Sequence, residues 1–156
     1  MDSAPEKHLL IVYHSQGGGT QRMADAVLAG AREESGVETR MVRALEAGLD
    51  ELLWADALIL GTPENFGYMS GALKDFFDRT FYPAQGKVDQ LPYAVFIKCG
   101  NDGSGALFNI ERIVKGYPFR KVADPIIHQG DLDDEVLSRC TELGQTLAAG
   151  LALGIF

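Results

Sequence analysis

Residues 8–20 read HLLIVYHSQGGGT, an apolar run that stops at a loop containing three successive glycines. The apolar run is typical of a buried strand, and residues 20–35 after the loop place Met23, Val27 and Ala31 on one helical face. A strand that enters a helix through a glycine-rich loop is the usual opening of a βαβ unit. This stretch therefore predicts an α/β fold.

The same alternation of strand and helix patterns continues along the chain. We predict further strands at 37–44, 56–61, 93–99 and 121–127, helices at 70–81, 106–115 and 132–152, and a short helical segment at 48–55. Strands alternating with helices of these lengths form right-handed βαβ units on a mostly parallel sheet with helices on both faces. No repeat or linker interrupts the pattern, so we expect one domain covering residues 1–156.

Composition argues against several classes of function. The formal net charge of −8 repels a phosphate backbone, and no basic patch is present, so we expect no nucleic-acid partner. The apolar stretch 147–156 is too short to span a bilayer, and residues 1–8 lack the basic and apolar regions of a secretion signal. We therefore expect a cytoplasmic protein without a membrane span. Cys99 and Cys140 lack metal-ligand spacing, and we predict no metal site.

Parallel sheets of this kind bind ligands beyond the carboxyl ends of their strands, and the loops at 15–20, 62–69 and 100–105 are expected at that edge. In the first loop, backbone N–H groups and the positive end of the following helix converge on one spot. Ser15 and Thr20 add hydroxyl groups, and the loop itself carries no positive charge. A phosphate suits such a cradle.

The details of the first loop separate the phosphate ligands. A Walker loop needs a lysine that this loop lacks, and a dinucleotide-binding fingerprint fails because Arg22 stands where its third glycine belongs. A terminal monophosphate remains the preferred ligand. The alternative, a plain turn with Thr20 as an ordinary N-cap, stays open at this level.

The other two loops are suited to a flat ring. The second, GTPENFGYMSG (61–71), offers apolar and backbone groups, with Phe66 placed to lie against such a ring and Ser70 placed to cap the next helix. The third, CGNDGSGA (99–106), offers Asn101 as a donor and acceptor at the ring edge. Glu64 is either a proton relay or a solvated carboxylate, and Cys99 is interpreted as a packing residue. We predict no obligatory catalytic acid or base.

Together these residues resemble the flavodoxin-like FMN proteins, in particular the short NAD(P)H-dependent FMN reductase and quinone reductase branch. The resemblance covers essentially the whole chain: YHSQGGGTQRMA (13–24) is similar to the family's phosphate loop, and GTPENFGYMSGALKDFFDR (61–79) to its second FMN loop and following helix. It implies a flavodoxin-like three-layer sandwich, with a five-stranded parallel sheet of order 2-1-3-4-5 and helices on both faces.

The resemblance also implies the cofactor and the residues that hold it. The cofactor would be FMN, with NAD(P)H as the electron donor. The residues implied for the ribityl phosphate are Ser15, Gln16, Gly17, Gly18, Gly19 and Thr20. Those implied for the isoalloxazine ring are Pro63, Glu64, Asn65, Phe66 and Gly67 on one side and Gly100, Asn101 and Gly103 on the other.

The expected function is that of an FMN-dependent NAD(P)H oxidoreductase that passes electrons to a quinone, a flavin or a similar small acceptor, as a monomer or homodimer. Long-chain flavodoxins usually sandwich the flavin between aromatics of the second and third loops, but residues 99–106 contain no aromatic, which leaves one face open. Two alternatives are an electron carrier between redox proteins, which the acidic surface would favour, and a domain that has lost its flavin.

Overall fold

The apolar runs of the sequence form the strands of a sheet in the computed structural model, which describes residues 7–156. Residues 1–6 lie outside the described residues. They are part of the predicted domain and of the stretch predicted to lack a secretion signal. Within residues 7–156 the strands are β1 Lys7–Tyr13, β2 Val37–Arg43, β3 Ala57–Asn65, β4 Tyr68–Met69, β5 Pro92–Cys99, β6 Arg120–Lys121 and β7 Ile126–Gln129. The helices in the same range are α1 Gly19–Ala31, α2 Leu49–Trp54, α3 Gly71–Ala84, α4 Ser104–Val114 and α5 Asp134–Ala152.

The strands are ordered β2-β1-β3-β5, and β6 and β7 share the edge beside β5. Each of these pairs is parallel, and only the short β4 runs antiparallel, against β3, within the described residues. This confirms the predicted order 2-1-3-4-5, with β5 in the fourth position and the β6/β7 edge in the fifth. The edge was predicted as one strand at 121–127, but the structure interrupts it at residues 122–125. Pro125 has no N–H to donate to a ladder, and it lies within that interruption.

Side chains of the central strands alternate between the two faces of the sheet. In β1, Leu9 and Ile11 pack with α1 and α5 on one face, whereas Leu10 and Val12 pack with α2, α3 and α4 on the other. All four are fully buried, which explains why this strand reads as a continuous apolar run. The result is the predicted three-layer arrangement.

The helix boundaries follow local hydrogen bonding. The Ser70 hydroxyl oxygen accepts a hydrogen bond from the N–H of Leu73 at 3.2 Å, which confirms the predicted cap of α3. Helix α1 ends at Ala31 rather than at residue 35, because after the capping residue Arg32 the N–H groups of Glu33 and Glu34 bond to carbonyls three residues earlier. None of the helices within residues 7–156 is long and apolar enough to cross a membrane.

Candidate functional site

The three loops that follow β1, β3 and β5 are joined to one another by side-chain hydrogen bonds. Between the first and second loops, the Asn65 amide donates to the Gln16 side-chain oxygen at 3.1 Å. Between the second and third loops, the two carboxylate oxygens of Glu64 accept from the N–H groups of Gly103 and Ala106 at 3.3 and 3.2 Å. The predicted site residues therefore come from three loops that form one continuous rim.

The first loop presents unpaired N–H groups at the start of α1. The Ser15 hydroxyl oxygen accepts from the N–H groups of Gly18 and Gln21 at 3.2 and 3.1 Å, which folds the loop back on itself. The N–H groups of Gly19 and Thr20, the first two of α1, have no acceptor within residues 7–156. Unpaired N–H groups at the positive end of a helix favour an anion. The alternative of Thr20 as an N-cap is wrong, because Thr20 lies inside the helix and Gly18 occupies the cap position.

A cavity of about 230 Å³ lies in front of this loop. It is lined by Gln16, Gly17, Gly19, Thr20, Pro63, Glu64, Lys98, Cys99 and Gly100. A Cβ built on Gly17 or on Gly100, two of the lining residues, would meet no atom within 4 Å, so neither glycine is crowded on its Cβ side. Open space in front of unpaired N–H groups fits a phosphate, and the residues present therefore fit the phosphate end of FMN.

Lys98 lines this cavity but was not among the predicted site residues. The first loop was predicted to bind a phosphate without a positive charge of its own. In β5, Ala94 and Phe96 pack on the α1 face of the sheet, and Lys98 shares their parity. Side chains alternate along a strand, so counting along β5 from a buried apolar neighbour could have predicted which face of the sheet this lysine occupies. The structure accordingly places Lys98 beside Gly19.

The second loop, predicted at residues 62–69 after a strand ending at residue 61, is largely a hairpin, because residues 62–65 extend β3 and residues 68–69 form β4. β3 and β4 pair at Asn65 and Tyr68, so the turn consists of Phe66 and Gly67, with φ values of 53° and 69°. Two consecutive positive φ values are typical of a tight type I′ turn, which glycine adopts freely and phenylalanine rarely. The Phe66 side chain is fully exposed at the tip. A large apolar ring held in a rare backbone conformation in solvent suits contact with a flat ligand.

The hairpin rests on the first turn of α4. A Cβ added to Gly105 would overlap the carbonyl group of Gly67, so the two backbones touch there and position 105 has no room for a side chain. No role was predicted for Gly105, because nothing in the sequence of residues 104–106 indicates that another backbone lies so close. Gly105 therefore determines how closely the second loop approaches the third.

The third loop is polar and open. Gly100, Asn101 and Asp102 are exposed, and the Asp102 carboxylate accepts from both the N–H and the hydroxyl of Ser104, at 3.0 and 2.8 Å. The N–H bond from Ser104 is the larger cause that lowers the pKa of Asp102, and the hydroxyl bond adds to it. Asp102 and Glu64 thus both accept hydrogen bonds at the start of α4.

Burial and neighbouring charges shift the pKa values of Cys99 and His14 near the rim. Burial raises the pKa of the Cys99 thiol, and the carboxylates of Glu64 and Asp102 raise it further, so the thiol is held protonated. Burial, with Arg43 as a second cause, lowers the pKa of His14. His128 contacts the backbone carbonyl of Asp131 at 2.6 Å, which ties down its own loop. Within residues 7–156 no three His, Cys, Asp or Glu side chains cluster as metal ligands.

Comparison with known proteins gives a consistent set of similarities. Residues 42–113 match the family described as NADPH-dependent FMN reductase. The chain is 30% identical over 161 residues to a flavodoxin of Aquifex aeolicus, covering 93% of this chain and 87% of that protein. It is 30% identical over 156 residues to an NAD(P)H dehydrogenase (quinone) of Acidithiobacillus ferrooxidans, covering 86% of this chain and 74% of that protein. Among solved structures, an archaeal flavodoxin matches with a TM-score of 0.77 at 26% identity, covering 92% of this chain and 98% of that one.

Proposed function

The chain belongs to the flavodoxin-like FMN-binding family, in its NAD(P)H-dependent FMN and quinone reductase branch, and from this premise we propose that it reduces a small planar acceptor such as a quinone or a free flavin. It is an FMN-dependent NAD(P)H oxidoreductase. FMN would supply the hydride-accepting and electron-transferring chemistry between NAD(P)H and the acceptor, and the protein would position it and tune its potential.

The three loops divide the task of holding the cofactor. In this proposal the phosphate is bound by residues 15–20, through the N–H groups of Gly19 and Thr20 and the hydroxyl protons of Ser15 and Thr20. The flavin ring is held by Pro63, Glu64, Asn65, Phe66 and Gly67 from the second loop and by Gly100, Asn101 and Gly103 from the third. Glu64 contributes by fixing the separation of these two loops, because both of its oxygens are already bonded to backbone N–H groups.

The observation that supports a small-molecule acceptor is the composition of the third loop. Residues 100–105, GNDGSG, contain no aromatic side chain that could cover the flavin from that side, and Gly100 and Asn101 are exposed. A flat acceptor is therefore able to stack on the uncovered face, where electron transfer needs only close contact. The exposed Phe66 belongs to the opposite loop.

Anaerobic stopped-flow mixing tests the proposal. We expect the FMN-loaded protein to lose its flavin absorbance near ~450 nm on mixing with NADPH or NADH alone, and to regain it on adding a quinone, because the flavin itself takes and delivers the electrons. A matched run without the quinone controls for reoxidation by residual oxygen. Reduction that requires a separate reductase would contradict the proposal, and so would a protein that binds no added FMN.

A second candidate is an electron carrier that acts between protein partners. The formal net charge of −8 favours it, since an acidic surface attracts a basic redox partner. The same stopped-flow experiment separates the two candidates: a carrier stays oxidised with NAD(P)H alone and is reduced only when a reductase is added.

A further inference from the structure

Lys98 lines the site but is not among the predicted site residues. It lies at the carboxyl end of β5, between Ile97 and Cys99, whose side chains pack toward α3 and α4. Its own side chain extends to the other face, across the start of α1. A Cβ built on Gly19 would lie 2.5 Å from both Cδ and Cε of Lys98 and 3.5 Å from Nζ. The lysine stem thus occupies the space that a side chain at position 19 would need.

Two cavities meet at this lysine. The first is the 230 Å³ cavity described above, and the second, of about 410 Å³, is lined by Gly17, Gly18, Gly19, Arg22, Lys98, Asp131 and Leu132. Among residues 7–156, Lys98 is the only non-glycine residue that lines both. Its ammonium group lies 3.5 Å from the position of a Cβ built on Gly19, one of the two residues whose N–H groups are unpaired.

The charges around Lys98 leave its ammonium group available. No carboxylate of residues 7–156 lies within 4.0 Å of it. The acidic side chains that line a cavity together with Lys98 are Glu64, which is bonded to two N–H groups, and Asp131, which lines the outer cavity. An ammonium next to unpaired N–H groups in an open cavity attracts a phosphate dianion strongly.

We propose that Lys98 binds the FMN phosphate and makes this site select phosphorylated flavin over riboflavin by charge. The inference rests on the proposed function, because it concerns the same cofactor site. It assigns to the site a cation supplied from β5, some eighty residues after the loop it serves. Gly19 is then required because any larger residue would displace the lysine stem.

The test compares the binding of FMN and riboflavin to the full chain after bound flavin has been removed. Flavin fluorescence quenching gives both dissociation constants for the wild type, Lys98→Met, Lys98→Arg and Arg22→Gln. We expect Lys98→Met to weaken FMN binding about 10–100-fold while riboflavin binding changes less than about 3-fold, because only FMN carries the phosphate. Lys98→Arg should restore most of the FMN affinity, and Lys98→Met should reduce the salt dependence of FMN binding.

Arg22→Gln is the matched control, since it removes the same charge from a residue that lines only the outer cavity. Equal weakening of FMN and riboflavin in Lys98→Met would overturn the inference, because it indicates a structural role. An equal loss in Arg22→Gln would also overturn it, because it indicates general electrostatic attraction. A wild type that binds neither flavin refutes the proposed function itself, whatever the variants do, so the two failures are distinguishable.

Discussion

At the scale of single residues, Glu64 shows how the site is assembled. Its two carboxylate oxygens each accept a bond from the N-terminal region of α4, at Gly103 and Ala106. A carboxylate at this end of a helix satisfies unpaired N–H groups and interacts favourably with the helix dipole. The side chain therefore acts as a cap supplied from another loop, and neither a free proton relay nor a fully solvated carboxylate describes it.

Replacing Glu64 by Gln tests this role. We expect Glu64→Gln to lower the free energy of unfolding by about 1–2 kcal/mol, because one accepting oxygen becomes an NH₂ group that faces a backbone donor. Urea unfolding followed by circular dichroism measures it. Glu111→Gln is the control, since Glu111 also belongs to α4 but makes only a long ion pair with Lys121 at 3.5 Å. A Glu64→Gln variant of unchanged stability that has lost turnover would instead support the proton relay.

At the scale of elements, the close contact between the β3–β4 hairpin and α4 positions the second loop against the third. It depends on Gly105, where an added Cβ would overlap the Gly67 carbonyl. The hairpin is short, and its turn residue Phe66 adopts a positive φ, so it has little stability of its own. Its position is determined by the helix against which it rests.

Gly105→Ala is expected to push the hairpin away from α4. The added methyl group should cost about 1–3 kcal/mol of unfolding free energy, as overpacking generally does, and should weaken binding of both FMN and riboflavin. Thermal unfolding and flavin titration measure these effects. Gly71→Ala, at the start of α3, is the control, because a Cβ there meets no atom within 4 Å. Equal stability and equal flavin affinity in the two variants would show that the contact between the hairpin and α4 contributes to neither.

At the scale of the whole molecule, the core on the α3 and α4 face of the sheet contains a buried polar network. The Tyr117 hydroxyl bonds to the Phe77 carbonyl at 2.9 Å and to the Thr80 hydroxyl at 2.8 Å, so it joins the segment after α4 to α3. Burial raises the pKa of Tyr117 to about 12, and burial likewise raises the pKa of Tyr93 to about 12. In each case the folded protein favours the neutral phenol.

This network predicts alkaline sensitivity. Because the folded pKa of Tyr117 exceeds the unfolded value of about 10, its contribution to stability is complete below pH ~10 and is lost as the pH rises toward 12. Tyr117→Phe should reduce the loss of stability between pH 10 and 12, leaving the part due to Tyr93, and should cost about 1 kcal/mol at neutral pH. Urea unfolding across this pH range measures both effects. The exposed Tyr82→Phe is the control, and an unchanged slope in Tyr117→Phe would contradict the prediction.

Local sequence patterns predicted the order of elements, the parallel sheet and the three loops at its carboxyl edge. These features depend on local periodicity and on glycine-rich turns, which act between near neighbours in the chain. Two features were not predicted: the interruption of the edge strand at residues 122–125 and the hairpin at Phe66. Strand pairing depends on the partner strand as well as on local residues.

The contacts between residues of different loops in the site depend on the tertiary structure and were not predicted from the sequence. Lys98 of β5 reaches Gly19, which follows β1, although β3 lies between these two strands. Glu64 bonds to Gly103 and Ala106, and the Gly67 carbonyl rests on Gly105. Each contact joins residues roughly forty or more positions apart, so no short stretch of sequence contains both partners. Their distances depend on the sheet register and on helix packing, and these result from the sum of many buried contacts throughout the molecule.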